Sequence, residues 1–118
     1  MTGQMEPISN VRKLTSDPSV LVAEAAGEID LHRSADFQRG LIALVEQRPG
    51  TIVLDLTGVA YMDSSGVASL VKLLARVRRE KIGLKLVGMS RRVQSVFQIT
   101  KLDTVFEIHR TMEEALSP

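Results

Sequence analysis

The sequence predicts an α/β fold, a mixed sheet of about five strands with helices packed mainly on one face. Three observations carry that prediction. The second half of the chain alternates short apolar runs with segments of helical period, the pattern of strand–helix–strand units with parallel neighbours. Two strand-like runs precede the first helix with only a turn between them, so the sheet opens on an antiparallel hairpin and is mixed. Each helical segment has one apolar face, so a single helical layer against the sheet would bury them all.

The 118 residues fit one domain. Residues 1–7, Met1 to Pro7, read as a short flexible tail, and 8–118 as a single domain. Ile8 to Leu14 partly alternates apolar and polar residues, an edge strand before the turn Ser16-Asp17-Pro18-Ser19. Val20 to Ala26 is the second strand, and Gly27 ends it. Gly27-Glu28-Ile29-Asp30 leads to Ser34, an N-cap candidate, with Asp36 in the first turn. Phe37, Leu41, Leu44 and Val45 form one helical face that stops before Arg48-Pro49-Gly50.

Ile52-Val53-Leu54 is a continuous apolar run, as expected of a strand buried on both faces. Asp55 to Val59 runs off its end, and Tyr61 to Gly66 connects to the next helix. There Val67, Leu70, Val71, Leu74 and Val77 form the apolar stripe, with Lys72, Arg76 and Arg79 opposite. Arg76, Arg78, Arg79 and Lys81 crowd the helix C-terminus, where they complement its dipole; a dedicated anion site is the rival reading. Gly83 opens a strand over Leu84 to Val87. Gly88-Met89-Ser90 caps a short helix carrying Val93, Val96 and Phe97. Val105 to Ile108 is the last strand, and Thr111 with Glu114 makes a capping box for a terminal helix.

Composition narrows the functional classes. Hydrophobic residues make up 44% and charged residues 25%, ordinary for a globular protein. Aromatics are only 3%, so the core is aliphatic and base stacking is disfavoured. A net charge of +1 argues for neither nucleic acid nor an anionic membrane as partner. Cysteine is absent, which removes disulfides, thiolate metal sites and thiol catalysis together. No apolar run is long enough to span a bilayer, and the start has no signal-peptide pattern, so the cytoplasm is the expected home.

Functional residues in such sheets gather where strand carboxyl ends enter helices. Two loops qualify, Gly27 to Ser34 and Gly58 to Gly66. In the second, Asp63, Ser64 and Ser65 can all cap, yet a helix needs one N-cap. Local sequence leaves two readings open. In the first, one serine caps and its neighbours are filler. In the second, Ser64 is a phosphorylation site. A helix N-terminus accommodates a phosphate, which adds about −1.5 to −2 charges and three strong acceptors. Before modification the small residues Gly66, Ala68 and Ser69 keep the surface low enough for another protein to approach. A penalty of ~4 kcal/mol from an added phosphate would weaken such an interface about a thousandfold.

Ile52-Val53-Leu54-Asp55-Leu56 through Tyr61-Met62-Asp63-Ser64-Ser65-Gly66-Val67 closely resembles the STAS domain of bacterial anti-sigma factor antagonists. Gly27-Glu28-Ile29-Asp30 resembles the family's Gly-Glu-Leu-Asp element. Gly83 to Val87, followed by a Ser-capped short helix, fits the same pattern. The similarity runs from about Val11 to the C-terminus, so 8–118 would be one STAS domain. The resemblance implies an anti-sigma factor antagonist in a partner-switching circuit. Ser64 would be phosphorylated by a GHKL-type serine kinase that is also the anti-sigma factor. The unphosphorylated form would bind that kinase and free its target, and a PP2C-type phosphatase would reset the switch. By the same resemblance Asp30 lies in the facing loop near Ser64 and contributes to partner contact. Ser65 hydrogen-bonds locally at the helix start, and Asp63 caps the helix or is read by the kinase. The implied partner-binding set is Asp30, Asp63, Ser64, Ser65, Gly66 and Ser69. No cofactor is expected, the phosphate coming from ATP bound to the kinase. His32 and Arg33 occupy a variable part of the first loop.

An enzyme is the first rival. Met62 stands where a nucleophile elbow needs glycine, His32 and His109 are the only histidines, and no phosphate-cradling Gly-rich loop with Lys-Ser or Lys-Thr exists. No catalytic or metal-ligating residue is therefore expected. The second rival is a constitutive STAS subunit of a stress-sensing, secretion-control or lipid-transport complex, with the same fold and no role for a phosphate. Nucleic acid and membrane insertion are not expected, and a monomer is the default.

Overall fold

The computed structural model describes residues 6–117. Of the expected tail 1–7, residues 1–5 lie outside the described residues. Pro7 is buried and its carbonyl accepts from the Ala26 amide at 3.0 Å, so it belongs to the packed structure. The elements run β1 (Ile8–Lys13), β2 (Val20–Ile29), α1 (Ser34–Glu46), β3 (Thr51–Met62), α2 (Ser64–Arg79), β4 (Gly83–Val87), α3 (Arg91–Ile99), a 3-10 turn (Leu102–Thr104), β5 (Glu107–His109) and α4 (Met112–Leu116).

The sheet order is β1-β2-β3-β4-β5, with β1 antiparallel to β2 and the other pairs parallel. Successive strands step across the sheet in one direction. Right-handed crossovers stepping one way place every crossover helix on one face. The main core accordingly joins Leu21, Ala23, Ile52, Leu54 and Leu86 of the sheet to Phe37, Leu41, Leu70, Val77, Val93 and Phe97 of α1, α2 and α3. The alternate residues Val22, Val53 and Val87 point the other way and pack with Ala115 of α4. The terminal helix is not a crossover, so the handedness rule leaves it free to cover the second face. A single layer does not bury every helix; three share one face and α4 takes the other.

Several boundaries differ from those read in the sequence. β2 does not end at Gly27, which sits inside the strand at φ +96°. β3 does not run off at Asp55 but continues to Met62, with register shifts against β2 between Glu24 and Ala26 and between Gly27 and Glu28. Each shift gives β3 an extra residue, so its buried positions fall at Leu56, Val59 and Met62, a spacing of three that hides the strand period. The last strand is Glu107–His109; Val105 and Phe106 precede it, and the Phe106 ring meets Phe97 edge-on at 5.4 Å. In α2 the buried stripe includes Leu73 in place of the exposed Val71. Ser34 is the first helical residue of α1 and not its cap, its hydroxyl donating to Leu31 O at 3.1 Å. Thr111 does cap α4, accepting from the Glu114 amide at 3.1 Å, while the Glu114 carboxylate turns to Arg110. Among the described residues no helix is long and apolar enough to cross a membrane.

Candidate functional site

The parallel register pairs Ile29 of β2 with Met62 of β3, so Asp30 and Asp63 leave adjacent strand ends side by side. The sheet order never reverses, so no crevice of the ligand-binding kind opens there. What the two loops build is a surface.

Asp63 organises that surface. Its backbone is extended (φ −94°, ψ −172°), as an N-cap requires. One carboxylate oxygen accepts from the amides of Ser65 at 2.9 Å and Gly66 at 3.3 Å and from the Ser65 hydroxyl. The other accepts from the Leu31 amide at 3.2 Å, and the Asp63 amide donates to Ile29 O at 3.1 Å. A single side chain therefore caps α2 and ties down the facing loop. The Ser65 hydroxyl, with the amides of Gly66, Ser65 and Leu31, holds the Asp63 carboxyl below its ordinary value, against a partial desolvation penalty.

Of the three capping candidates, then, the aspartate caps and Ser65 donates to it. Ser64 is left as the first residue of α2, exposed, its hydroxyl making no hydrogen bond to the described residues. The amides of Ser65, Gly66 and Val67 are already engaged by the Asp63 side chain and carbonyl. A phosphate on Ser64 would find most of the helix-terminal donors occupied, with an ionised carboxylate beside it.

Gly66 and Ser69, expected on the partner surface, lie beneath it. A Cβ at Gly66 would come within 2.6 Å of Met62 Cγ, 2.8 Å of Ile29 Cγ2 and 3.0 Å of Ile29 O, so glycine lets the first turn of α2 close onto the strand ends. Ser69 is 3% exposed and donates to Ser65 O at 3.1 Å, with Gln38 Oε1 at 3.4 Å. Both residues shape the site from inside, because the helix face they occupy is the one turned to the core. Ala68 is exposed. Asp30 is half-buried and its carboxylate accepts from the Arg33 amide at 3.1 Å, a loop-forming role, and no hydrogen bond joins it to Ser64. His32 is exposed.

One residue at the site escaped the sequence reading. Leu31 is 71% exposed, and its amide is the one held by Asp63. The available signal was a large aliphatic residue between Asp30 and His32 in an otherwise polar loop. Beside the site, Arg92 of α3 stacks over the Tyr61 ring, 5.2 Å from its centroid, bracing the end of β3.

A model of the STAS domain family matches residues 12–115. The anti-sigma-F factor antagonist RsfA of Mycobacterium tuberculosis is 30% identical over 115 residues, covering 94% of this chain and 90% of that protein. The crystal structure of an anti-sigma factor antagonist from Mycobacterium paratuberculosis superposes with a TM-score of 0.82 at 24% identity, over 98% of this chain and 96% of that one. The Bacillus cell fate determinant SpoIIAA, solved in its phosphorylated form, shares the fold with a TM-score of 0.64 at 22% identity, over 90% of this chain and 96% of the other. With its hairpin-led sheet, its Asp63-capped second helix and these relatives, the chain belongs to the STAS domain family of anti-sigma factor antagonists.

Proposed function

We propose that this chain is an anti-sigma factor antagonist switched by phosphorylation of Ser64. The observation that carries the reading is the exposed hydroxyl of Ser64, without a hydrogen bond among the described residues, at the head of a helix whose cap, Asp63, also holds the facing loop at Leu31. The names of its relatives support an anti-sigma factor as partner. That partner is read as a GHKL-type serine kinase. It would transfer the γ-phosphoryl group of its bound ATP to Ser64 Oγ, breaking the β–γ bridge and releasing ADP, with the hydroxyl proton passing to the kinase. The chain is thus a substrate and not an enzyme.

Before transfer, Ser64, Ala68 and Leu31 offer a low, partly apolar surface to the kinase. After transfer the dianion stands beside the ionised Asp63, with few amides left to neutralise it. The charge faces the partner, so the interface is lost by repulsion and desolvation, not by refolding of this chain. A PP2C-type phosphatase would hydrolyse the ester and restore the binding form.

Incubation of the full chain with the cognate kinase and ATP, followed by intact-mass measurement, tests the proposal. One added phosphate is expected, absent in Ser64→Ala, and Ser64→Asp should weaken kinase binding at least about a hundredfold. Kinase binding unchanged in Ser64→Asp, or a phosphate retained in Ser64→Ala, would sink it.

A further inference from the structure

Leu31 is 71% exposed between the half-buried Asp30 and the exposed His32. A single exposed leucine is ordinary on a protein surface. Ile99 is more exposed still, at 82%, but it closes α3, a helix that starts from the strand carboxyl ends and runs away from them. What sets Leu31 apart is how it is held and what it is held to.

Both main-chain groups of Leu31 are engaged. Its amide donates to the Asp63 carboxylate at 3.2 Å, and its carbonyl accepts from the Ser34 hydroxyl at 3.1 Å. The residue before it is fixed as well, since the Arg33 amide donates to both the carbonyl and the carboxylate of Asp30, at 3.0 and 3.1 Å. The loop is therefore set before any partner arrives, and little freedom is lost on binding. With its main chain satisfied, what Leu31 presents to a partner is the isobutyl group.

The position relative to Ser64 follows from the same bonds. Asp63 holds the Leu31 amide and immediately precedes Ser64, so the Leu31 backbone stands within about 12 Å of the Ser64 backbone. A specific protein interface covers about 800 Å² of each partner, a disc of about 16 Å radius. A kinase that closes over Ser64 therefore reaches Leu31 too.

We infer that Leu31 is an aliphatic anchor that fills an apolar pocket on the kinase, beside the site that holds its ATP, and so selects which kinase acts on this chain. That the partner is a kinase rests on the function proposed above. Asp63 serves the anchor as a positioning residue, because one carboxylate sets both the head of α2 and the Leu31 loop. Leu31 touches no reacting atom, so its contribution falls on binding and not on phosphoryl transfer.

The test uses the full chain and its cognate kinase, with affinity measured in ADP and Ser64 phosphorylation followed by intact mass in ATP. Leu31→Ala should weaken binding about tenfold to a hundredfold, the worth of one buried leucine side chain. It should raise KM for the chain with kcat unchanged, and leave the urea midpoint where it was. Leu31→Met should restore most of the affinity, and Leu31→Lys should abolish it by placing a charge in the pocket. Ile99→Ala should bind as the unaltered chain does. Unchanged affinity and KM in Leu31→Ala, a fall in kcat alone, or an equal loss in Ile99→Ala overturns the anchor. If Ser64 is still phosphorylated in any of those cases, the switch stands and the anchor alone fails. A chain that the kinase neither binds nor phosphorylates overturns both.

Discussion

The Asp63 carboxylate accepts from Ser65 and Gly66 with one oxygen and from Leu31 with the other, so removing it frees two segments at once. Asp63→Ala should lower stability by about 1–2 kcal/mol in urea denaturation, the usual cost of a lost cap. Because the folded carboxyl titrates below its ordinary value of 3.8, its contribution is fully present above that pH. It is lost as the pH falls through the lower folded value. Asp63→Asn, which keeps a capping oxygen but not the charge, should therefore flatten the acid limb of stability measured between about pH 5 and pH 2. The aspartate and two serines were legible in the sequence as a capping cluster. Which of them capped was not, since all three side chains can accept an amide and only the direction of the entering chain selects one.

At the scale of elements, Gly66 sets how closely α2 approaches the ends of β2 and β3. Gly66→Ala would gain helix propensity but force its methyl against Met62 and the Ile29 carbonyl. The expected net loss is about 1–3 kcal/mol, seen as a lower urea midpoint, the backbone contact being the part that cannot yield. The opposite outcome belongs to the helix ends. Arg48, Lys81 and Lys101 follow α1, α2 and α3 in left-handed conformation (φ 53°, 61° and 61°), the position glycine usually fills. Lys101→Gly should raise stability by about 0.5–1 kcal/mol, a higher melting midpoint with the fold unchanged. Glycine signals helix ends from sequence, and here basic residues take the place, recovering from the helix dipole only part of what they lose in backbone strain. The helix ends were nonetheless legible, from Arg48-Pro49-Gly50 and from the basic cluster after Val77.

Across the whole molecule, the one-directional strand order gathers α1, α2 and α3 on one face and leaves the other to α4 alone. That second core is small: Val22, Val53, Val87 and Ala115, with Leu14, Val20 and Met112 packed around them. Lys85 donates to Ala115 O at 2.6 Å and so helps hold the terminal helix down. Ala115→Asp should unseat α4, lowering stability by more than about 2 kcal/mol by burying an unpaired carboxylate. Hydrogen exchange should then show β4 and β5 opening while Ser64 keeps its environment, because the site is braced from the opposite face.

By itself the sequence determined the class of fold, the order of elements, and the cluster at the head of α2 with its likeness to the STAS domain. Those features are local: apolar period, turn residues and capping side chains act within a few positions of each other. Only the tertiary structure decided that β3 runs on through two bulges, that α4 covers the far face, and that Gly66 and Ser69 lie under the surface while Leu31 stands on it. Each of these depends on which strand pairs with which and on the side from which a helix approaches, and no short window of sequence encodes that.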